Sequence, residues 1–342
     1  MLPCRKPLYA LPESSEGSIP APAAVQTETT SGGRAAYMID SDGIFEPECH
    51  EIASRLSIPI SSQIEVDDSY THALRLDPYE FEDVSTYALA IETTTTNIDA
   101  KNEKRRKRPK QKPKSNPHFI DFFPPKNSRM GKRTGKESGT DLLVKATIPK
   151  KKSMDTVVWD LTAGFGQDSL ILALNGASKV HMIERDPFVF ALLEDGLRRL
   201  SELSKKGLEP AQDLEQILTL GANDDGVNAL QRLLQDDKME RPDVCYLDPM
   251  FPPRTKSAAV KKPMQILHGL LNTQEEVKDA NRLEEERKFL ECALEAAKCR
   301  VVVKRPAKAS LVGGDESGDI RKPSYAVEGS VNRWDVYILN NE

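Results

Sequence analysis

The chain has 342 residues, 38% hydrophobic and 30% charged, enough for about two domains. No run approaches the ~20 apolar residues of a membrane-spanning helix, and the first residues lack the apolar core of a secretory signal, which predicts a soluble, intracellular protein. The cysteines Cys4, Cys49, Cys245, Cys292 and Cys299 are scattered, with no C-x-x-C pair and no Cys/His cluster at zinc spacing, so neither a disulfide framework nor a bound metal is expected.

The net charge of −5 is unevenly divided. Residues 101–152 carry eighteen Lys/Arg against Glu103, Asp121, Glu137 and Asp141, a window of +14 in a chain that is otherwise −19. Such polarity fits contact with a polyanion or a solvated basic linker.

Residues 1–36 are rich in Pro, Ser, Thr and Ala, lack apolar periodicity and read as a disordered extension. They match an organellar transit peptide only weakly, because Glu13, Glu16 and Glu28 balance the bases. Residues 37–100 read as a small N-terminal α+β domain, with strands in Ala73–Leu76 and Tyr87–Ile91. Within a linker over 101–117, residues 104–114 hold eight bases and two prolines with nothing to bury. That run reads as a nuclear localisation signal, a nucleic-acid-binding arm or a charged linker. From residue 118 to 342 a second domain is expected.

After Met154, strand-like and helix-like runs alternate as in a doubly wound parallel α/β sheet. Strands are predicted at Val157–Asp160, Val180–Glu184, Gln216–Leu220, Val244–Leu247, Val301–Lys304 and Trp334–Leu339, and helices over 167–175 and through Phe188, Ala191, Leu192 and Leu197.

Where the first of these strands meets its helix lies Asp160-Leu161-Thr162-Ala163-Gly164-Phe165-Gly166-Gln167-Asp168. Glycines there let backbone approach a ligand, and the helix start offers N–H groups. Ser169 stands where a dinucleotide fingerprint wants Gly or Ala, and the Asp160 carboxylate would oppose a pyrophosphate, so a cationic or zwitterionic ligand fits better. Glu184, at the end of the second strand, is placed to accept from ribose hydroxyls of NAD or S-adenosylmethionine, or else to pair with a base such as Arg185.

Asp248-Pro249-Met250-Phe251-Pro252 follows the buried run Val244–Leu247. It resembles the (D/N)-P-P-(Y/F/W) signature of methyltransferases that act on exocyclic amines. There Asp248 would orient the amine through hydrogen bonds and Phe251 would stack the displaced base. Lys256, Lys261, Lys262, Lys304 and Arg305 place cations nearby for a phosphate backbone, although Lys261 and Lys262 equally suit a solvated helix start.

Taken together with Met182–Pro187, Ala191–Leu197, Tyr246–Pro252, Lys256–Lys262 and Val301–Pro306, the glycine turn resembles the bacterial ribosomal RNA small subunit methyltransferase J family. The similarity extends upstream through Phe119–Phe122 and Gly131–Arg133. The resemblance implies a Rossmann-like class I methyltransferase fold that uses S-adenosylmethionine to methylate the N2 amine of a guanosine in small-subunit rRNA. Its partner would be that RNA or the assembled small subunit.

By the same resemblance, Gln167, Asp168, Glu184, Arg185, Asn223, Asp224 and Asp248 would line the donor pocket with Asp160, Gly164 and Gly166. Arg129, Lys132 and Arg133 would touch RNA. Gln167-Asp168 stands where the family has Arg-Asp, which removes one cation. The expected location is the cytoplasm, but residues 1–36 and 104–114 depart from the compact bacterial pattern, which fits a nuclear-encoded protein sent to an organelle with a bacterial-type ribosome, or one moved to the nucleus. The competing readings are an amino methyltransferase for DNA adenine or a protein amide, an inactive RNA-binding assembly factor, and more remotely a nicotinamide dehydrogenase.

Overall fold

The computed structural model describes residues 36–39, 43–61, 72–93, 117–124, 129–134, 141–149, 155–236, 238–249, 266, 279–313 and 321–339. All fall within one unit, residues 33–342. The N-terminal extension, the 104–114 run, Phe251, Lys256, Lys261 and Lys262 lie outside the described residues, as does the side chain of Arg129.

The first sheet is built from β1 (Ala36–Ile39), β2 (Ile60–Ser61), β3 (His72–Phe81) and β4 (Val84–Thr93) in the order β2-β1-β3-β4. Here β3 and β4 form an antiparallel hairpin, while α1 (Glu46–Leu56) links the parallel pair β1 and β2. The predicted strands at Ala73–Leu76 and Tyr87–Ile91 lie inside β3 and β4.

After the short helices α2 (Arg129–Thr134) and α3 (Leu142–Thr147), the second sheet begins. Its elements in chain order are β5 (Thr156–Asp160), α4 (Gln167–Leu174), β6 (Ala177–Glu184), α5 (Pro187–Lys205), α6 (Ala211–Ile217) and β7 (Leu218–Asn223). There follow α7 (Gly226–Gln235), β8 (Val244–Leu247), α8 (Asp279–Ala296), β9 (Arg300–Pro306), β10 (Tyr325–Glu328) and β11 (Asn332–Ile338). The sheet order is β10-β11-β9-β8-β5-β6-β7, parallel from β9 to β7, with β11 antiparallel to β9 and β10 antiparallel to β11.

Alternation along the strands divides the core. Val244 and Tyr246 of β8, with Val158, Val180, Met182 and Val302, face Leu170 and Leu192. Cys245 and Leu247, with Trp159, Ile183, Val301 and Val303, face Leu230, Leu290 and Ala293. A strand buried on both faces must read as a continuous apolar run, which is why Val244–Leu247 was plain in the sequence. Met38, Leu74, Leu89 and Ile91 of the first sheet belong to the first of these clusters.

The α5 helix joins the two sheets. Its start is fixed by Asp186, whose carboxylate accepts from the N–H groups of Phe188 and Val189, with Pro187 in the first turn. Further along, Asp195 accepts from the N–H of Leu89 at 2.8 Å, and the Arg198 guanidinium lies 3.8 Å from the Tyr87 ring centroid.

One strand begins later than expected. Gln216 and Ile217 belong to α6, because Leu214 and Ile217, three apart, both turn onto its packed face, and β7 starts at Leu218.

Candidate active site

Strand order reverses between β5 and β8: the chain moves outward from β5 to β6 and β7 on one side, and from β8 to β9 and β11 on the other. A crevice opens at such a switch point, beyond the carboxyl ends of the strands. The segments after β5 and β8 meet there, the N–H of Asp248 donating to Thr162 Oγ1 at 2.6 Å.

On the β5/β6 side, backbone amides hold the acids. Gly164 and Gly166 adopt φ values of +52° and +68°, open to glycine at little cost. A Cβ on Gly166 would also sit 3.0 Å from Leu193 Cδ2 and 3.2 Å from Phe122 Cε1. This turn presents the Gly164 N–H to Glu184 Oε2 at 2.8 Å, while the Asp186 N–H donates to Oε1 at 2.8 Å. Burial pushes the Glu184 carboxyl up, against those two bonds. Two N–H bonds use part of a carboxylate's capacity, so Glu184 retains lone pairs for hydroxyl donors.

Asn223 Nδ2 and the Asp224 N–H both donate to the Glu184 carbonyl, at 2.8 and 3.1 Å, tying the end of β7 to that of β6. Burial acts to raise the Asp224 carboxyl, but hydrogen bonds from Asn228 and Arg232 prevail and hold it below the usual range. Arg185 is exposed and lies 3.8 Å from Asp225, and Gln167 is exposed at the start of α4, which has no side-chain cap.

Asp160 departs from the expectation of a ligand-facing acid. It is 0% exposed, and its carboxylate accepts from the Ser169 hydroxyl and, at 3.3 Å, from the Thr162 N–H. Burial pushes its pKa up to about 7, with the nearby Asp168 and Asp248 charges adding to the rise. Its role is to close the glycine turn. Ser169, which breaks the dinucleotide fingerprint, is the partner of that carboxylate.

On the β8/β9 side, side-chain charges hold the acids. Asp168 Oδ2 accepts from the Tyr246 hydroxyl at 2.8 Å and from Lys304 Nζ at 2.7 Å, and Arg133 Nη1 lies 3.7 Å from Oδ1. Burial would raise the Asp168 carboxyl, but Lys304 and Tyr246 outweigh it and keep it low. Asp248 Oδ2 lies 2.7 Å from Lys304 Nζ, and its side chain stays 37% exposed. Burial and the like charge of Asp168 push Asp248 up against the pull of Lys304.

The cations expected to hold RNA separate. Lys132 is exposed on α2. Arg133 is bonded to Asp141 at 2.8 and 3.1 Å. Lys304 belongs to the carboxylate cluster. Arg305 is also corrected: its side chain is 4% exposed, with its guanidinium on Glu286 and on the carbonyls of Ser310 and Leu311, so it braces a loop instead of meeting phosphate.

Sequence reading missed the functional placement of Thr162, Tyr246 and Lys304. The signal for Lys304 was a lysine ending the apolar run Val301–Val303, where a partly buried ammonium requires a carboxylate.

The family model described as "Putative SAM-dependent methyltransferase" matches residues 84–339. The ribosomal RNA small subunit methyltransferase J of Thioalkalivibrio sulfidiphilus is 38% identical over 224 residues, covering 65% of this chain and 76% of the relative. That of Aeromonas salmonicida is 42% identical over 197 residues, covering 58% and 68%. The chain belongs to the ribosomal RNA small subunit methyltransferase J family. A SAM-dependent methyltransferase from Neisseria gonorrhoeae, solved as a crystal structure, is similar with a TM-score of 0.55 and 25% identity over 90% of this chain and 97% of that one.

The sheet is therefore that of a class I methyltransferase, and S-adenosylmethionine is the cofactor. The residues present fit it. A ligand bearing a sulfonium and an ammonium calls for acids, and Glu184, Asp224 and Asp248 beside the strand ends and Asp168 in the first turn of α4 supply them, with Glu184 retaining acceptor capacity for ribose hydroxyls. Among the described residues no helix is long and apolar enough to cross a membrane, and no group of three or more His, Cys, Asp or Glu could hold a metal ion.

Proposed function

We propose that this chain methylates the exocyclic N2 amine of a guanosine in small-subunit rRNA. The observation that carries the reading is Asp248, fixed by Thr162 and Lys304 at the switch point yet 37% exposed. The names of the relatives point to the same RNA. In this reading residues 118–342 are the transferase domain and 37–100 the smaller one, and the RNA or the assembled subunit is the partner.

S-adenosylmethionine, when bound, supplies an electrophilic methyl group on a sulfonium. Glu184 would hold ribose hydroxyls, with Gln167, Asp168, Arg185, Asn223 and Asp224 around the rest of the donor and Gly164 and Gly166 giving close backbone approach. The Asp248 carboxylate would accept an amine N–H, orienting the nitrogen and increasing its electron density, and would take the surplus proton once the nitrogen carries positive charge. Phe251 would stack the base. Arg129, Lys132, Lys256, Lys261 and Lys262 would hold the backbone, with Arg133 at the rim of the crevice.

The test is transfer of labelled methyl to unmodified small subunits and to deproteinised RNA, comparing wild type with Asp248→Ala. Transfer by the wild type that the variant loses, with donor binding retained, is expected. Full activity in the variant would refute the role of Asp248, and donor binding without transfer to either RNA would refute the substrate.

A further inference from the structure

We propose that Lys304 is a positioning residue of the transfer site: its ammonium keeps Asp248 ionised and locks it to Asp168, so that one cation sets both the amine acceptor and the donor side. This rests on the reading of Asp248 given above. Leu247 pairs with Val303 in parallel register, which brings Lys304 level with Asp248. From there Nζ lies 2.7 Å from both Asp168 Oδ2 and Asp248 Oδ2, joining β9, the end of β8 and the first turn of α4. Its side chain is 19% exposed, so the head group lies within the cluster and away from the surface a phosphate would use.

The charges around Asp248 make that bridge necessary. Facing it are Lys304 from β9, Asp168 from α4, Tyr246 from β8 and Asp160 from β5, with Arg133 of α2 on the far side of Asp168. Among the described residues, removing Lys304 leaves Asp248 under the like charge of Asp168, and burial and that charge together favour its protonated form. A protonated acid offers an amine N–H a weaker acceptor and has no room for its proton. Among the described residues, the bonds of the Asp248 carboxylate are made at Oδ2, which leaves Oδ1 for the amine. Because Asp168 accepts from the same ammonium, and is itself held by the Tyr246 hydroxyl, the acceptor and donor sides cannot shift independently.

The test compares wild type, Lys304→Met and Lys304→Arg by carboxylate NMR titration of aspartate-labelled, ligand-free protein, and by kcat against pH for methyl transfer to small subunits. In Lys304→Met the Asp248 midpoint rises by about one pH unit or more and the acid limb of kcat rises with it. At neutral pH kcat falls, by up to about tenfold for each pH unit of that rise, while KM for the RNA changes less than about threefold. Lys304→Arg restores the midpoint and most of kcat. Asp168→Asn, which removes a like charge and keeps Lys304, moves the midpoint down and serves as the test if Lys304→Met does not fold. An unchanged midpoint with lost kcat would reduce Lys304 to a structural pair, and a raised KM with kcat intact would return it to the RNA backbone; either overturns the proposal. Should the wild type transfer nothing to rRNA, the functional reading fails on that result alone, and the NMR midpoints still decide whether Lys304 sets the charge of Asp248.

Discussion

The two sides of the crevice are held by different forces. Beside β5 and β6, Glu184 is fixed by the backbone N–H groups of Gly164 and Asp186, and Asp160 is sealed beneath the turn by Ser169. Beside β8 and β9, Asp168 and Asp248 are fixed by side chains, chiefly Lys304 and the Tyr246 hydroxyl. Backbone amides cannot be withdrawn or titrated, so the first side is a rigid seat. Side-chain charges respond to pH and to what binds, which suits the side proposed to orient an amine and take up its proton.

The contrast is broken most forcefully at Asp248. Its replacement by alanine, which would remove the proposed acceptor of the amine, is expected to lower methyl transfer by about a thousandfold, read as single-turnover rate, with the unfolding temperature nearly unchanged. On the opposite side, Gly166→Ala acts on stability. The φ of +68° and the 3.0 Å approach to Leu193 predict a loss of about 1–3 kcal/mol in denaturant unfolding.

Asp160 sharpens the comparison through pH. Its folded pKa is raised by burial to about 7, above the ordinary aspartate value of 3.8, so between those values the folded chain binds more protons than the unfolded one. Its contribution to stability is therefore present below the unfolded pKa and is lost as pH rises to the folded one, with a slope of up to about 1.4 kcal/mol per pH unit. Asp160→Asn, which keeps an acceptor for Ser169, should flatten that part of the unfolding temperature curve against pH. The smallest effect is expected from Tyr246→Phe, which keeps the buried ring and removes one hydrogen bond to Asp168. It should cost about 1 kcal/mol of stability and weaken donor binding severalfold by calorimetry.

This difference between the sides also decides what the sequence disclosed. A seat built from backbone needs residue types at fixed spacing, and Gly164, Gly166 and Glu184 announced themselves through a glycine turn and a strand-end acid. The double-sided burial of Val244–Leu247 and Val301–Val303 likewise marked β8 and β9. The side-chain network was hidden because its members lie far apart in the chain and meet only through sheet order. Lys304 and Arg305 read alike as adjacent cations at a strand end, yet alternation sends one to Asp168 and Asp248 and the other to Glu286. Asp160 read as facing the ligand because its partner Ser169 lies in the first turn of α4, out of reach of a strand-end argument.

The proposed reaction is tested most directly by nucleoside analysis of small-subunit RNA after incubation with the protein and S-adenosylmethionine. N2-methylguanosine is expected, formed by the wild type and absent with Asp248→Ala. Methyl groups on adenine, or none on the RNA despite saturable donor binding, would contradict it.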